Sequence, residues 1–167
     1  MNFNNTFNKY IKKTIYPGLD RHSAPSKSYY DYFIIIPVFN EYDYLLSTLK
    51  SITKQKNIYL SNTLVVLVIN NTVDAIQSIK KNNKATKFLI NSHEFNFEYM
   101  ILDYYSKGNE LPNKKGGVGV ARKIGMDYCL QYSNQNSLLF CLDADTLISK
   151  EYLSKIIKFN YKTDFKT

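Results

Sequence analysis

Hydrophobic and polar positions alternate between two regimes along this chain. Short, fully apolar runs of strand length are separated by stretches in which apolar residues recur at helical spacing. The run Tyr32-Phe33-Ile34-Ile35-Ile36-Pro37-Val38 reads as a central parallel strand, ending near Pro37, which cannot donate to a ladder. Leu45, Leu46, Leu49 and Ile52 then give a helical stripe, and Asn40 with Asp43 forms a variant of a capping box ahead of it. Leu64-Val65-Val66-Leu67-Val68-Ile69 repeats the strand pattern, ends in Asn70-Asn71-Thr72, and leads into a short helix from Val73 to Lys80. The polar, lysine-rich segment 80–96 carries an apolar interruption, Phe88-Leu89-Ile90, that fits no element. A third strand is expected at 98–103, followed by a loop to Lys115.

Gly116-Gly117-Val118-Gly119 opens a helix reaching about Tyr132, with Val118, Ala121, Gly125, Tyr128, Cys129 and Tyr132 on its buried face. The apolar run Leu138-Leu139-Phe140-Cys141-Leu142 makes a fourth strand, and a last helix starts near Ser149 with Leu153, Ile156 and Ile157 inward. Strand and helix alternating in this way predict an α/β fold, a mostly parallel, Rossmann-like sheet with helices on both faces. Residues 1–31 read as an N-terminal arm and linker, and 32–167 as the domain. Phe7, Tyr10, Ile11 and Ile15 beside Lys9, Lys12 and Lys13 describe a basic amphipathic helix, which packs on its own domain or lies on a membrane surface.

The fourth strand ends in Asp143-Ala144-Asp145, and this is the most chemical stretch of the chain. Alternation points both carboxylates to one side, where they can share a divalent cation; the other reading is that they polarise a turn and cap the next helix. The glycine-rich segment matches neither a Walker A loop nor a dinucleotide fingerprint, whose third small residue would fall at Arg122. It is either a structural turn or, with Lys114, Lys115 and Arg122 near a helix N-terminus, a phosphate-holding one.

Composition narrows the field only a little. The 167 residues are 44% hydrophobic with a formal net charge of +8, enough chain for one real core and a balance that favours anionic partners. Cys129 and Cys141 form no metal spacing or disulfide framework, which suits reduced thiols in a cytoplasmic protein. No signal peptide and no apolar run of membrane-spanning length is visible. His22 and His93 stand outside any zinc-binding spacing, and no nucleophile elbow exists, so hydrolase chemistry built on a triad is poorly supported.

Four segments taken together resemble the nucleotide-sugar-binding, N-terminal part of inverting family 2 glycosyltransferases of the GT-A fold. They are Ile34-Ile35-Ile36-Pro37-Val38-Phe39-Asn40-Glu41, Val66-Leu67-Val68-Ile69-Asn70-Asn71-Thr72, Gly117 to Gly125, and Leu142-Asp143-Ala144-Asp145-Thr146. The resemblance implies that Pro37, Val38 and Glu41 line a nucleotide pocket and that Arg122 faces the nucleotide or its phosphates. Asp143 and Asp145 would hold Mn²⁺ or Mg²⁺ against the diphosphate. Asn70 and Asn71 stand where the family usually carries acids that contact base or ribose.

It further implies a nucleotide-diphospho-sugar donor and a glycan, lipid or protein acceptor, at the cytoplasm or its membrane face. In the family the acceptor half and catalytic base follow the metal motif, so the base is expected beyond Thr167 and the chain reads as truncated at its C-terminus, binding donor without efficient turnover. Two other classes stay open. A sugar nucleotidyltransferase would favour a glycine-rich signature after the first strand, where Pro37 to Glu41 stands. A non-enzymatic basic nucleotide- or nucleic-acid-binding module would use the lysines and tyrosines and bind with steep salt dependence.

Overall fold

A computed structural model describes residues 3–162. Residues 1–2 of the expected arm and 163–167 of the expected domain lie outside the described residues. Four strands, β1 (Tyr32–Val38), β2 (Thr63–Asn70), β3 (Glu98–Tyr104) and β4 (Leu138–Cys141), form one parallel sheet in the order β3-β2-β1-β4. The helices are α1 (Phe3–Lys13), α2 (Leu45–Ile52), α3 (Asn57–Leu60), α4 (Gln77–Asn91), α5 (Val118–Leu130) and α6 (Tyr152–Lys162).

Every residue of β2 is buried, as is every residue of β1 after Tyr32, which is why both read as continuous apolar runs. Their alternate side chains feed two cores. Ile34, Ile36, Val65, Leu67 and Ile69 meet apolar residues of α2, α3, α4 and α6; Phe33, Ile35, Leu64, Val66 and Val68 meet Ala121, Ile124, Tyr128 and Cys129 of α5, with Leu19 and Tyr30. At Gly125 a Cβ would sit 2.4 Å from Ile35 Cγ2 and 3.1 Å from Val68 Cγ2, so the glycine lets α5 press directly on the sheet. The thiols of Cys129 and Cys141 are both free.

The N-terminal segment lies along α5. Asp127, almost wholly inaccessible, accepts hydrogen bonds from Tyr10 Oη (2.7 Å), Tyr16 N (2.7 Å) and Lys123 Nζ (2.6 Å). Ile15 and Tyr16 pack against the same core.

Several local expectations change. The segment from Val73 to Asn96 is mostly the 15-residue α4, which absorbs the unplaced Phe88-Leu89-Ile90. Its inward face is partly polar, with Asn83, Thr86 and Ile90 buried, and that polarity hid the helical period. Asn40 does not cap α2; it adopts a left-handed φ of 62° and its N–H goes to Asn83 Oδ1 at 3.0 Å, while Tyr44 and Leu45 N–H groups close on Glu41 O. Val118 is exposed rather than buried, Ile156 only half-buried, and α6 begins at Tyr152. Among the described residues β4 pairs with β1 alone and forms a sheet edge.

Candidate functional site

The strand order places successive strands to one side of β1 and then returns to its other side with β4. The switch point of such a sheet, at the carboxyl ends of β1 and β4, is where ligands bind in open α/β folds. A cavity of about 610 Å³ opens there. Its wall is made of Pro37 near the end of β1 and Glu41 after it, Asn70 and Asn71 at the end of β2, Gly116 and Gly117 ahead of α5, Arg122 within α5, and Asp143 and Asp145 after β4. Of the residues singled out from sequence, Val38 and Lys114 do not join them. Val38 is wholly buried among Ile34 and Ile36, because Pro37 faces the cavity and the next side chain must take the opposite side of the sheet.

The same alternation sets the acids. Ala144 is 4% exposed and its carbonyl accepts a hydrogen bond from Thr48 Oγ1 at 2.6 Å, so Asp143 and Asp145 on either side both face outward. Thr48, Ser51 and Gln55 project from the α2 segment at helical spacing and tether the chain after β4. Ser51 Oγ accepts from Ile148 N (3.1 Å), and Gln55 Nε2 donates to Ser149 O (2.8 Å) while its Oε1 accepts from Leu153 N (3.1 Å). These buried polar residues were missed from sequence, although their spacing was the signal. The turn-and-cap reading of the acids has little support: Asp143 O does close a turn with Thr146 N, but α6 starts well past Asp145.

Arg122 bridges the two sides of the cavity. Its Nη2 pairs with Asp143 Oδ1, and its Nε is buried with no hydrogen-bond partner. The N-terminus of α5 opens on the cavity at Gly117 and Val118 without a side-chain cap, so its first amides are available to an anion. Gly117 has a φ of 114°, and at Gly116 a Cβ would lie 2.3 Å from Thr72 Cγ2; this turn needs its glycines. Glu41 looks onto the acids, and its carboxyl is held above the usual range by burial and by the charges of Asp145 and Asp143.

Asn70 and Asn71 are less free than surface amides. Asn70 Nδ2 donates to Val38 O (3.1 Å) and Val68 O (3.2 Å). The two carbonyls fix which way the amide points, and what the side chain has left to offer is its acceptor oxygen. Asn71 Oδ1 accepts from Asn83 Nδ2 at 3.0 Å, which also reaches Asn70 O at 3.0 Å. Asn83 therefore joins the Asn40 loop to the end of β2, a role its place in a lysine-rich stretch did not suggest.

Neither histidine enters the cavity: His93 bonds Leu89 O locally at 2.9 Å, and His22 lies against Tyr104 and Tyr128. The side chain of Lys115 and the base expected beyond Thr167 lie outside the described residues.

A switch-point crevice with an open helix N-terminus, a guanidinium and paired carboxylates defines an α/β domain equipped for a phosphorylated ligand. The family model described as glycosyl transferase family 2 matches residues 33–165, and the chain belongs to that family. Among solved structures, S. aureus TarS 1–349 in complex with UDP-GlcNAc is similar, with a TM-score of 0.55, 19% identity, and coverage of 79% of this chain and 31% of that one. TarS 1–349 in a second structure gives 0.51, 20%, 79% and 32%. The fold is thus the GT-A type, and this chain spans about a third of the TarS length it matches. No curated protein matches the chain.

Proposed function

We propose that the crevice is the donor site of a glycosyltransferase that takes a nucleotide-diphospho-sugar and passes the sugar, with inversion, to an acceptor hydroxyl. The observation that carries this reading is the meeting of Arg122, the α5 N-terminus and Asp143 with Asp145 around one cavity. The α5 amides and Arg122 receive the diphosphate. Arg122 now rests on Asp143, so a phosphate that draws the guanidinium away also releases the carboxylate.

Asp143 and Asp145 would hold Mn²⁺ or Mg²⁺. Among the described residues no group of three or more His, Cys, Asp or Glu is placed to hold a metal unaided. The donor set fits a hard cation of the kind bound through one or two carboxylates and completed by substrate phosphates. Bound there, the cation supplies neutralisation of charge on the leaving diphosphate. Asn70, with an acceptor to offer, suits a base that presents a ring N–H, and uracil is such a base; the similar TarS structure carries UDP-GlcNAc.

Thermal shift with UDP, GDP and CDP, each with and without Mn²⁺, tests this on the wild type and on Asp143→Ala/Asp145→Ala. A nucleotide at about 100 times its Kd adds about 2.7 kcal/mol, roughly 5–11 °C for a chain of this size. Metal-dependent stabilisation strongest with UDP and lost in the double variant is expected. A folded protein that shifts with no nucleotide would overturn the reading.

A further inference from the structure

Away from the donor crevice, α4 turns an unusual face outward. Its sequence holds Lys80, Lys81, Lys84 and Lys87 and no acid. The inward positions are Asn83, Thr86 and Ile90, so Lys81 and Lys84 share the exposed outer side with Phe88, while Lys80 and Lys87 flank it half-buried, Lys87 within charge range of Asp103. Phe88 is 77% exposed, and Ile76, at the N-cap of the helix, is 65% exposed. The two apolar side chains are about 18 Å apart along the axis at 1.5 Å per residue, with the lysines between them.

Beside this face runs a groove of about 1010 Å³, whose walls carry Lys80, Lys81 and Lys84 from α4 and Lys107 and Glu110 from the loop after β3. Lys80 is already engaged, with Nζ 2.7 Å from Val73 O and 3.5 Å from Glu110 Oε1. Lys81, Lys84 and Lys107 form no salt bridge among the described residues. A single exposed phenylalanine or a row of solvated lysines would mean little. Apolar side chains at both ends of an acid-free row of cations, with a cationic groove large enough for a headgroup beside it, match what a charged bilayer surface requires. A nucleic-acid strand would ask for successive stacking aromatics along the lysines, whereas Phe88 stands at one end of the row and the groove's own aromatic, Tyr105, is 9% exposed.

We propose that the outer face of α4 is a docking surface for an anionic lipid bilayer, with the lysines on the headgroup phosphates and Ile76 and Phe88 seated in the interface. The surface is distinct from the basic side of α1, since the N-terminal segment packs with α5 on the other face of the sheet from α4. It is also independent of what occupies the donor cavity.

Vesicle sedimentation decides the matter. The full chain is expected to pellet with vesicles of mixed phosphatidylcholine and phosphatidylglycerol, to stay in solution with phosphatidylcholine alone, and to be released by salt. At about fivefold per lysine, Lys81→Gln/Lys84→Gln/Lys87→Gln should weaken partitioning roughly a hundredfold. Phe88→Ser should weaken it several-fold without changing the salt slope, and Lys9→Gln/Lys12→Gln/Lys13→Gln in α1 should leave most of it intact. Lys87 is half-buried and the other positions are exposed, and an unchanged melting temperature verifies that each variant is folded. Equal binding to uncharged vesicles, an α4 variant that binds like the wild type, or loss of binding in the α1 variant alone would overturn the proposal. So would a chain that binds soluble polyphosphate but no vesicle.

Discussion

Helices α4 and α5 flank the same sheet on opposite faces and fasten to it by different means. α5 sits against β1 and β2 through small residues, and Gly125 leaves no room for even a methyl group. Its other side is pinned by the buried Asp127, which gathers Tyr10, Tyr16 and Lys123 onto one carboxylate. α4 faces the sheet with an amide and a hydroxyl beside Ile90, and its Asn83 reaches the backbone of the Asn40 loop and of the end of β2. One helix holds Arg122 in place by contact and charge; the other holds the Glu41 and Asn71 side of the cavity by hydrogen bonds. Volume changes and charge losses should therefore show on the α5 face as instability, and donor losses on the α4 face as a loosened site.

The largest effect is expected from Asp127→Ala. It strands the Tyr16 N–H and takes the counter-charge from Lys123, which keeps only Tyr10 Oη and Thr14 O, a loss of about 3 kcal/mol for a charged, hydrogen-bonded partner at a buried position. The melting temperature should fall by roughly 6–12 °C. The nucleotide-induced shift measured on top of that lower baseline should survive, because Arg122 and the α5 N-terminus keep their place on the sheet through Gly125. If the shift vanished as well, the arm would belong to the site, and the division between holding the helix and holding the ligand would fail.

Asn83→Ala should be milder in stability and sharper in binding. It leaves Asn40 N, Asn70 O and Asn71 Oδ1 without their present partner, a cost of about 2 kcal/mol. The Asn40 loop, in a left-handed turn, then loses its tether to β2. Removing a residue that supports a site in this way typically costs at least tenfold, and we expect about that in nucleotide affinity by calorimetry. A melting loss with unchanged affinity would mean that the loop is set by Pro37 and the turn at Glu41 alone.

What could be read from sequence follows the same line between contact and hydrogen bonding. β1, β2, the helix opening at Gly117 and the outward pair Asp143 and Asp145 announce themselves, because burial on both sheet faces and strand alternation act residue by residue. Of α4 only the first turn was legible, within the expected helix Val73 to Lys80, since a helix whose buried positions are Asn83, Thr86 and Ile90 has too little apolar period to detect. Val38 was drawn into the cavity by its neighbours in the motif, although the alternation that turns Pro37 toward the cavity turns Val38 away from it. Thr48, Ser51 and Gln55 drew no reading from sequence; only the path of the chain after β4 shows that they are its tethers. Polar groups that satisfy distant backbone leave no mark in a local pattern.

The smallest effect is expected where the two supported sides face each other across the cavity, at Glu41. Burial, then the charges of Asp145 and Asp143, raise its carboxyl above the ordinary value of 4.5. The folded chain thus keeps this proton to higher pH than the unfolded chain does. Stability from this group must then fall as pH rises from about 4.5 through the raised value and level off above it. Glu41→Gln removes the dependence, so its melting temperature should gain on the wild type across that window and keep the gain at neutral pH, by less than the Asn83→Ala loss. Mn²⁺ with nucleotide should shrink the difference, because cationic charge between Asp143 and Asp145 offsets the repulsion that Glu41 feels. If the gain is the same with and without Mn²⁺, burial alone raises Glu41, and the carboxylates of the two loops act on it less than their facing positions imply.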